Sequence, residues 1–512
     1  MVEREESAGL YFTGHALVDV GIAGLCAFAN RTHPEQLTME DLDRAADFMV
    51  ENYYSGKLGP FLSCVFMNSS FVQPKEDRET TEEFIRRYVR AHRSDPEGRV
   101  AGLQCAFSGG PATSPLVRTH LPMFSAEGVI NFRPDGQTFV PVAGPFIVAL
   151  MFLPLAGRRA EGRLLAVHSE DPALTLRFAR RYLTDNRRLL AATLPTDRAP
   201  FHAGFDRELP MWDAKNKRYK FADAKGPRSL VISDLAAIAA EALPTDRRPR
   251  PVALTVYLLS NSGQGPSLEM FDVPSTVVSF IAMAAGAGTR SAWESIARRF
   301  KPLSGEPEPG ERTRKKSPAV ELPPGRAGWS RNPAFEDLYA IFAAGFTDRS
   351  AAAAWLRRHV LGRLESRSGD VRFQATRARC WALASLFLEE VLGMKPAHIE
   401  TIRTFSDKLA EHIARKNDRD LFRALTIRPL REVRHSLLRA QRATAGGKLL
   451  FGLDEYAQVF LHGEDDEYLV RDLICVRVVE ELSRLNYFAE HPDVALPEDN
   501  QEGANGAEEV TQ

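Results

Sequence analysis

A stretch rich in proline, glycine and basic residues, at positions 301–332, constrains the fold of this chain more than any other feature. It holds six prolines, four glycines and the basic run Arg312-Thr-Arg-Lys-Lys316. Such a composition supplies too few apolar side chains for a core, and it interrupts both helices and strands. We therefore predict a linker here, with separately organised domains on its two sides.

The segment before the linker, residues 1–300, mixes helical and strand patterns. Short β-branched runs between residues 103 and 171 end in glycine or proline, which predicts tight strands joined by turns. Residues 62–67 are predicted as a strand, and the apolar run 146–154 as a buried strand or a short helix. That run is far shorter than the roughly 20 residues that span a bilayer. We expect a mixed α/β domain over residues 1–300.

The segment after the linker is dominated by helical periods. Pro396 stands at a predicted helix start, and apolar residues recur behind it at helical spacing up to Ile413. We predict a bundle of about five or six helices over residues 333–489. The last residues, 490–512, carry seven acids and no lysine or arginine, which predicts a disordered acidic tail. The expected fold class is α+β, a mixed α/β domain followed by an α-helical bundle.

The totals place the chain among ordinary globular proteins. It has 512 residues, a formal net charge of −1 and 44% hydrophobic residues. Five scattered cysteines do not form a disulfide framework and fit a reducing compartment. The acidic N-terminus lacks the apolar core of a signal peptide. From these features we expect a cytoplasmic protein without a membrane partner.

The residue types that carry catalysis or bind metals do not assemble into a known signature. Cys105 has a serine, Ser108, where a zinc knuckle would have its second cysteine, and zinc usually takes four nitrogen or sulfur ligands. The acids at 464–466 precede a predicted helix and suit its first turn better than a magnesium ion. Three histidines near turns, His15, His120 and His168, have no serine or cysteine elbow beside them. We expect no metal, no cofactor and no enzymatic activity.

Arginine rows on two predicted helices are the features that suggest a ligand. At 100° per residue, the helix at 427–442 carries its cations on one side and its apolar residues on the other. The phosphate-binding residues predicted there are Arg428, Arg431, Arg434, Arg439 and Arg442. A weaker second patch follows Asp171 on another helix and consists of Arg180, Arg181, Arg187 and Arg188. The guanidinium fork matches phosphate oxygens, whereas the alternative is a solvated face on an arginine-rich protein.

Several phrases of the chain together resemble a known family. They are Tyr11-Phe-Thr-Gly-His-Ala-Leu-Val-Asp-Val-Gly-Ile-Ala-Gly24, Pro34-Glu-Gln-Leu-Thr-Met-Glu-Asp-Leu42, Cys105 to Ala112, Gly128 to Gly136, Gly162 to Ser169, Phe387-Leu-Glu-Glu-Val391 and Leu453-Asp-Glu-Tyr456. The chain resembles the large subunit of type I CRISPR surveillance complexes (Cascade), in the subgroup named for a CXXC–CXXC region and its Myxan subtype. The resemblance covers residues 10–170 well and 375–485 moderately.

This resemblance implies a non-catalytic antiviral subunit with an α/β domain and a helical bundle that stands in for the small subunit. The implied partners are the guide RNA, target DNA, the Cascade backbone and guide-processing subunits, and the helicase–nuclease that it recruits. The chain departs from the family at Ser108 and lacks the second cysteine pair, so a zinc-stabilised finger is not expected. Members of this subtype are linked to fruiting-body development and sporulation, which leaves a regulatory protein with protein or RNA partners as the alternative.

Overall fold

The structure is a computed structural model, and it divides the chain into two compact units. Unit 1 comprises residues 1–238, 251–278 and 300–331, and unit 2 comprises residues 239–250, 279–299 and 332–512. The residues that the structure describes are 6–54, 62, 64–66, 78–96, 100–117, 119–120, 138–160, 163–192, 211–213, 218–220, 226–241, 252–262, 265–286, 288–297, 301–302, 330–343, 349–361, 380–426, 430–443, 449–460, 467–491 and 494. The predicted domain limits stay a prediction.

Unit 1 combines helices with antiparallel strands. Its helices are α1 (Ala16–Ala29), α2 (Met39–Tyr54), α3 (Arg78–Val89), α4 (Gly144–Ala156), α5 (Pro172–Ala192) and α6 (Pro227–Glu241), the last reaching into unit 2. Its strands are β1 (Ser114–Leu116), β2 (Val140–Val142), β3 (Arg158–Ala160), β4 (Arg163–Ser169), β5 (Met211–Asp213), β6 (Arg218–Lys220), β7 (Leu254–Ser262), β8 (Gly265–Val273), β9 (Lys301–Pro302) and β10 (Ser330–Arg331).

Local sequence signals account for several of these boundaries. Helix α2 begins with a capping box, in which the Asp41 N–H donates to Thr38 Oγ1 and the Thr38 N–H donates to Asp41 Oδ2, both at 3.2 Å. Helix α1 ends at Asn30, which adopts the left-handed conformation that asparagine tolerates. Helix α5 starts at a proline that follows Asp171, as predicted.

The central sheet of unit 1 has the order β3-β4-β7-β8, and its neighbouring strands are antiparallel. One face of the sheet joins the hydrophobic core through Leu164, Ala166 and Leu259. The same core contains the apolar residues of α1, α4 and α5, so these helices cover that face. The sheet and its helical layer thus fix where α5 lies and which side of it meets water.

Two sequence predictions in unit 1 need comment. The sequence of the apolar run at 146–154 fits either a buried strand or a short helix, and in the structure the run lies within helix α4. The predicted strand at 62–67 is wrong, because the N–H groups of Val65 and Phe66 donate to the Leu62 carbonyl, as in a helical turn. Every described residue of that run is buried, and a short run that is apolar throughout does not distinguish a strand from a turn packed in a core.

Unit 2 is helical in the part of the chain that the structure describes after Arg331. Its helices are α7 (Ser275–Ala284, which begins in unit 1), α8 (Arg290–Ala297), α9 (Pro333–Ala343), α10 (Arg349–Leu356), α11 (Cys380–Glu390), α12 (Pro396–Lys416), α13 (Arg419–Thr426), α14 (Leu430–Ala443), α15 (Leu453–Phe460), α16 (Glu467–Arg484) and α17 (Tyr487–Glu490). The region contains more helices than the five or six predicted. The α+β fold class with a helical C-terminal region is confirmed.

The ends of the predicted linker pair with each other, since β9 and β10 are antiparallel, with Lys301 opposite Arg331. The residues between them, 303–329, lie outside the described part of the chain, as do the acids at 464–466 and residues 495–512 of the predicted tail. The predictions made for those segments stay predictions.

Candidate nucleic-acid interface

Helix α5 is the scaffold of one predicted arginine patch. The Asp171 carboxylate accepts a hydrogen bond from the Ala173 N–H at 3.0 Å, which satisfies a donor of the first turn. The inner face of the helix places Leu176, Ala179 and Leu183 in the core of unit 1. Because that apolar face is fixed, the opposite face of this 21-residue helix points outward along its whole length.

Arginines line the outward face of α5. Arg177, Arg180, Arg187 and Arg188 are exposed, and Arg181 is half-buried beside them. At 3.6 residues per turn these five positions fall within an arc of about 120° and extend over roughly 16 Å of helix. Arg177 belongs to the same row, although the sequence analysis did not assign it to the site. Arg177 lies three residues before Arg180 and four before Arg181, and this helical spacing is the sequence signal that places it in the row.

The row is anchored at one point by a buried carboxylate. The Arg181 Nε lies 2.8 Å from Asp234 Oδ1 on α6, and Asp234 is only 2% exposed. The Arg158 Nη1 of β3 lies 3.6 Å from Asp234 Oδ2 and 3.7 Å from Asp185 Oδ2. Burial raises the pKa of Asp185, while the nearby Arg158 opposes that rise. Asp234 and Asp185 are therefore occupied largely by Arg158 and Arg181.

Among the described residues, the other arginines of the row meet little negative charge. Arg188 is 79% exposed, and its Nη1 lies 3.8 Å from Asp185 Oδ1, at the outer limit of an ion pair. The Arg187 guanidinium lies 5.5 Å from the ring centroid of Phe28 and 5.6 Å from that of Phe48. These cation–π contacts orient the group without neutralising it. Such a row suits the phosphates of a nucleic-acid strand.

The second predicted patch lies on α14 in unit 2. Arg439 and Arg442 are exposed and Arg434 is half-buried, whereas Arg428 lies outside the described residues and the side chain of Arg431 is not described. The Arg439 Nη1 lies 3.3 Å from Asp420 Oδ2 of α13.

The outward side of α14 also carries groups that do not favour a phosphate. Leu438 is 56% exposed there, and Glu432 is exposed at the start of the helix. Val433 and Leu437 are buried on the other side, as their spacing predicted. The two arginine rows belong to different units, and each is therefore treated as a surface in itself.

The histidines near turns include one with a carboxylate partner that sequence reasoning missed. Asp19 of α1 accepts hydrogen bonds from the Thr13 N–H at 2.7 Å and the Gly14 N–H at 2.9 Å, and its Oδ2 lies 3.4 Å from His168 Nε2. Burial opposes ionisation of Asp19, but the hydrogen bonds from His168, Thr13 and Gly14 lower its pKa overall. Asp19 and His168 are 149 residues apart, so no local sequence pattern indicates this pair.

The segment from Cys105 to Gly110, which has a serine where a zinc knuckle would have its second cysteine, forms a turn closed by backbone hydrogen bonds. The Cys105 N–H donates to the Gly110 carbonyl at 2.7 Å, the Gly109 N–H donates to the Cys105 carbonyl at 2.9 Å, and Cys105 is buried. The Ser108 hydroxyl accepts the Gly110 N–H at 3.3 Å. Among the residues that the structure describes, no three or more histidine, cysteine, aspartate or glutamate side chains form a metal-binding group.

Comparisons of the chain with protein-family models, with curated proteins and with solved structures found no match. None of the helices within the described ranges combines the length and the apolar character needed to cross a bilayer. The assignment of function therefore depends on the surfaces themselves and on the motifs of the sequence.

Proposed function

We propose that this protein is a non-catalytic, nucleic-acid-binding large subunit of a type I CRISPR surveillance complex, acting in the cytoplasm. The observation that carries the proposal is the arginine row on α5, where four exposed guanidinium groups share one helix face. The family resemblance of residues 10–170, the segment that leads into α5, indicates which nucleic acids it would meet. These are the guide RNA and the target DNA, with the helicase–nuclease as a further partner.

In this proposal the two units contribute differently. The α5 row of unit 1 supplies a continuous cationic surface for a sugar–phosphate backbone, and the α14 row of unit 2 supplies a second, weaker contact through Arg439 and Arg442. Phosphate contacts of this kind position a strand without reading its sequence. Chemistry on the target belongs to the recruited nuclease, since the described residues contain no group of metal ligands and the sequence carries no known catalytic signature.

The test is a pull-down of the tagged full-length chain from its native cells. We expect RNA of guide length to co-purify with backbone and guide-processing subunits. The double variant Arg180→Ala, Arg188→Ala should recover at least about fivefold less RNA, because two phosphate contacts are lost. A matched control, Arg86→Ala with Arg87→Ala, removes two exposed arginines of α3 in the same unit and should leave the recovery unchanged.

Two results would contradict the proposal. One is a pull-down that contains no RNA and none of the complex's subunits, which would instead support the regulatory protein of development and sporulation. The other is an equal loss of RNA in the α3 control, which would assign binding to the net charge of unit 1 and not to the α5 row.

A further inference from the structure

Strand β8 is the last strand of the central sheet among the residues that the structure describes. The order β3-β4-β7-β8 places it last, so within the described part of the chain no strand pairs with its outer side. It pairs with β7 over nine residues, a long edge by the standards of globular proteins. Residues 266–270 are exposed at every position, on both faces of the sheet. The strand therefore presents backbone as well as side chains to its surroundings.

The register shows which backbone groups point outward. In an antiparallel ladder, residue pairs alternate between those that exchange hydrogen bonds and those whose N–H and C=O groups point away from the partner strand. Pro266 is paired with Asn261 and has no N–H, which places it among the pairs that do not exchange hydrogen bonds. The same alternation directs the N–H and C=O groups of Leu268, Met270 and Asp272 to the open edge.

The side chains beside these groups are unusually apolar for an edge. Leu268 is 44% exposed and Met270 is 58% exposed, and they lie opposite Leu259 and Tyr257 of β7 on the face that joins the core. From residue 267 to 273 the strand contains no lysine, arginine or proline, the residues that usually protect an edge from pairing. The helical layer that buries Leu259 does not extend over Leu268 and Met270.

The charges of this edge are acidic. Glu269 forms an ion pair with Arg163 of β4, with 2.7 Å between Glu269 Oε2 and Arg163 Nη1. Asp272 is exposed and accepts a hydrogen bond from Thr255 Oγ1 at 2.7 Å through one of its two oxygens, so within the described ranges its carboxylate remains accessible to a cation. A strand that pairs with β8 would meet two apolar side chains and then a carboxylate along the same face.

We propose that β8 binds an extended segment of a partner protein by strand addition, with apolar residues opposite Leu268 and Met270 and a basic residue opposite Asp272. Main-chain hydrogen bonds would supply affinity, and the alternating side chains would supply specificity. This proposal is independent of the nucleic-acid function, since it involves another element of unit 1 and a protein ligand.

A second copy of this chain fits the same edge poorly. Two-fold pairing centred on Glu269 would place two copies of that carboxylate opposite each other. A two-fold axis at Met270 would place Leu268 opposite Asp272. An axis at Leu268 would place Met270 opposite Pro266, which has no backbone N–H to donate. Like charges opposite each other and a carbonyl group left without its donor both destabilise a ladder. The partner is therefore a different sequence.

The test uses the full-length protein and a fluorescent probe peptide, Thr-Lys-Thr-Val-Lys-Val-Thr, with blocked ends. Met270→Pro removes an outward N–H without touching the ladder to β7, and Met270→Thr is the matched control that keeps this N–H. By fluorescence anisotropy, Met270→Pro should weaken binding by about tenfold, the effect of one or two lost hydrogen bonds. Met270→Thr should weaken it by less than about threefold.

Amide hydrogen exchange provides a readout that does not depend on the variants. In the wild-type protein, the probe should slow exchange at Leu268 and Met270 and leave Glu269, which already bonds to β7, unchanged. A probe with both lysines replaced by glutamate should bind more weakly. Equal binding of the two probes, unchanged exchange at Leu268 and Met270, or full binding by Met270→Pro would each overturn the proposal. A concentration-dependent dimer that Met270→Pro abolishes would overturn it in favour of a second copy.

Discussion

The two arginine rows each follow one face of a helix, but their surroundings differ. On α5, the exposed arginines stand over a helix face fixed in the core, and Asp234 is buried and bound to Arg181. The half-buried Asp185 lies 3.8 Å from Arg188. On α14, Arg439 faces Asp420, which is itself 56% exposed, and an exposed leucine interrupts the surface. Spacing alone makes the two helices look equivalent.

The difference shows how a protein keeps a cationic surface available. A carboxylate at the surface neutralises the arginine next to it, whereas a buried carboxylate engages one arginine and leaves its neighbours open to a ligand. Asp234 acts in the second way, with Arg158 and Arg181 as its partners. We infer that α5 contributes more phosphate contacts than α14, and the predictions below test this comparison in order of decreasing effect.

The largest effect is expected where the α5 row is anchored. Asp234→Ala should lower the free energy of unfolding by about 3 kcal/mol, because it leaves Arg158 and Arg181 without the carboxylate that they share in a mostly buried setting. Arg439→Ala, the counterpart in unit 2, should change it by less than about 0.5 kcal/mol, since exposed ion pairs contribute little. Urea unfolding followed by circular dichroism measures both. Equal changes in the free energy of unfolding for the two variants would mean that the ion pairs of the two rows do not differ in strength.

Changes of pH should affect the contributions of Glu480 in unit 2 and Asp19 in unit 1 in opposite directions. Burial raises the pKa of Glu480 in unit 2 to about 7, from an ordinary value of 4.5, although Arg477 and the Trp381 N–H oppose the rise. The folded state then holds a proton that the unfolded state has released, so this group's stabilisation is present below pH 4.5 and is lost as pH rises towards 7. In unit 1, the lowered pKa of Asp19 gives the opposite sign, with stability lost as the pH falls below 3.8.

Glu480→Gln tests the unit 2 half of this prediction. The glutamine keeps an oxygen for the Trp381 N–H, which lies 2.7 Å from the Glu480 Oε1, and it has no proton to release. Between pH 4.5 and pH 7, the free energy of unfolding of the wild type relative to this variant should fall by about 1–3 kcal/mol. A difference between the two proteins that stays constant or increases over this range would contradict the assignment.

The smallest effect concerns the availability of Arg439. Asp420→Ala should raise affinity for a single-stranded RNA by about twofold, because it frees one guanidinium for a phosphate. Asp454→Ala is the control, since it also removes an exposed acid from the first turn of a unit 2 helix. Anisotropy titrations at one fixed salt concentration compare them. An equal gain in both variants would mean that net charge, and not the row on α14, sets the affinity.

Local signals in the sequence predicted much of this architecture. The start of α5 after Asp171 and the start of α12 at Pro396 each depend on neighbouring residues, and each is present in the structure. The helical periods also identified the buried side of α14. The strand expected at residues 62–67 failed because an apolar run without a period carries no information on the type of element.

The surroundings of the arginines could not be predicted in the same way. Arg181 and Asp234 are 53 residues apart, and the rings of Phe28 and Phe48 reach Arg187 from two other helices. Such contacts depend on how elements pack, which spacing along one helix does not encode. For this reason the sequence alone ranked α14 above α5 as a phosphate-binding surface, whereas the described residues of α14 include an exposed leucine and an arginine paired with Asp420.

A salt titration tests the central claim most directly. The logarithm of the binding constant for a single-stranded RNA falls with the logarithm of salt concentration, with a slope of about 0.7 for each phosphate contact. The triple variant Arg177→Ala, Arg180→Ala, Arg188→Ala should reduce that slope by about two units, whereas Arg86→Ala with Arg87→Ala should leave it unchanged. A triple variant that keeps the wild-type slope and affinity would show that the α5 row does not bind the phosphate backbone.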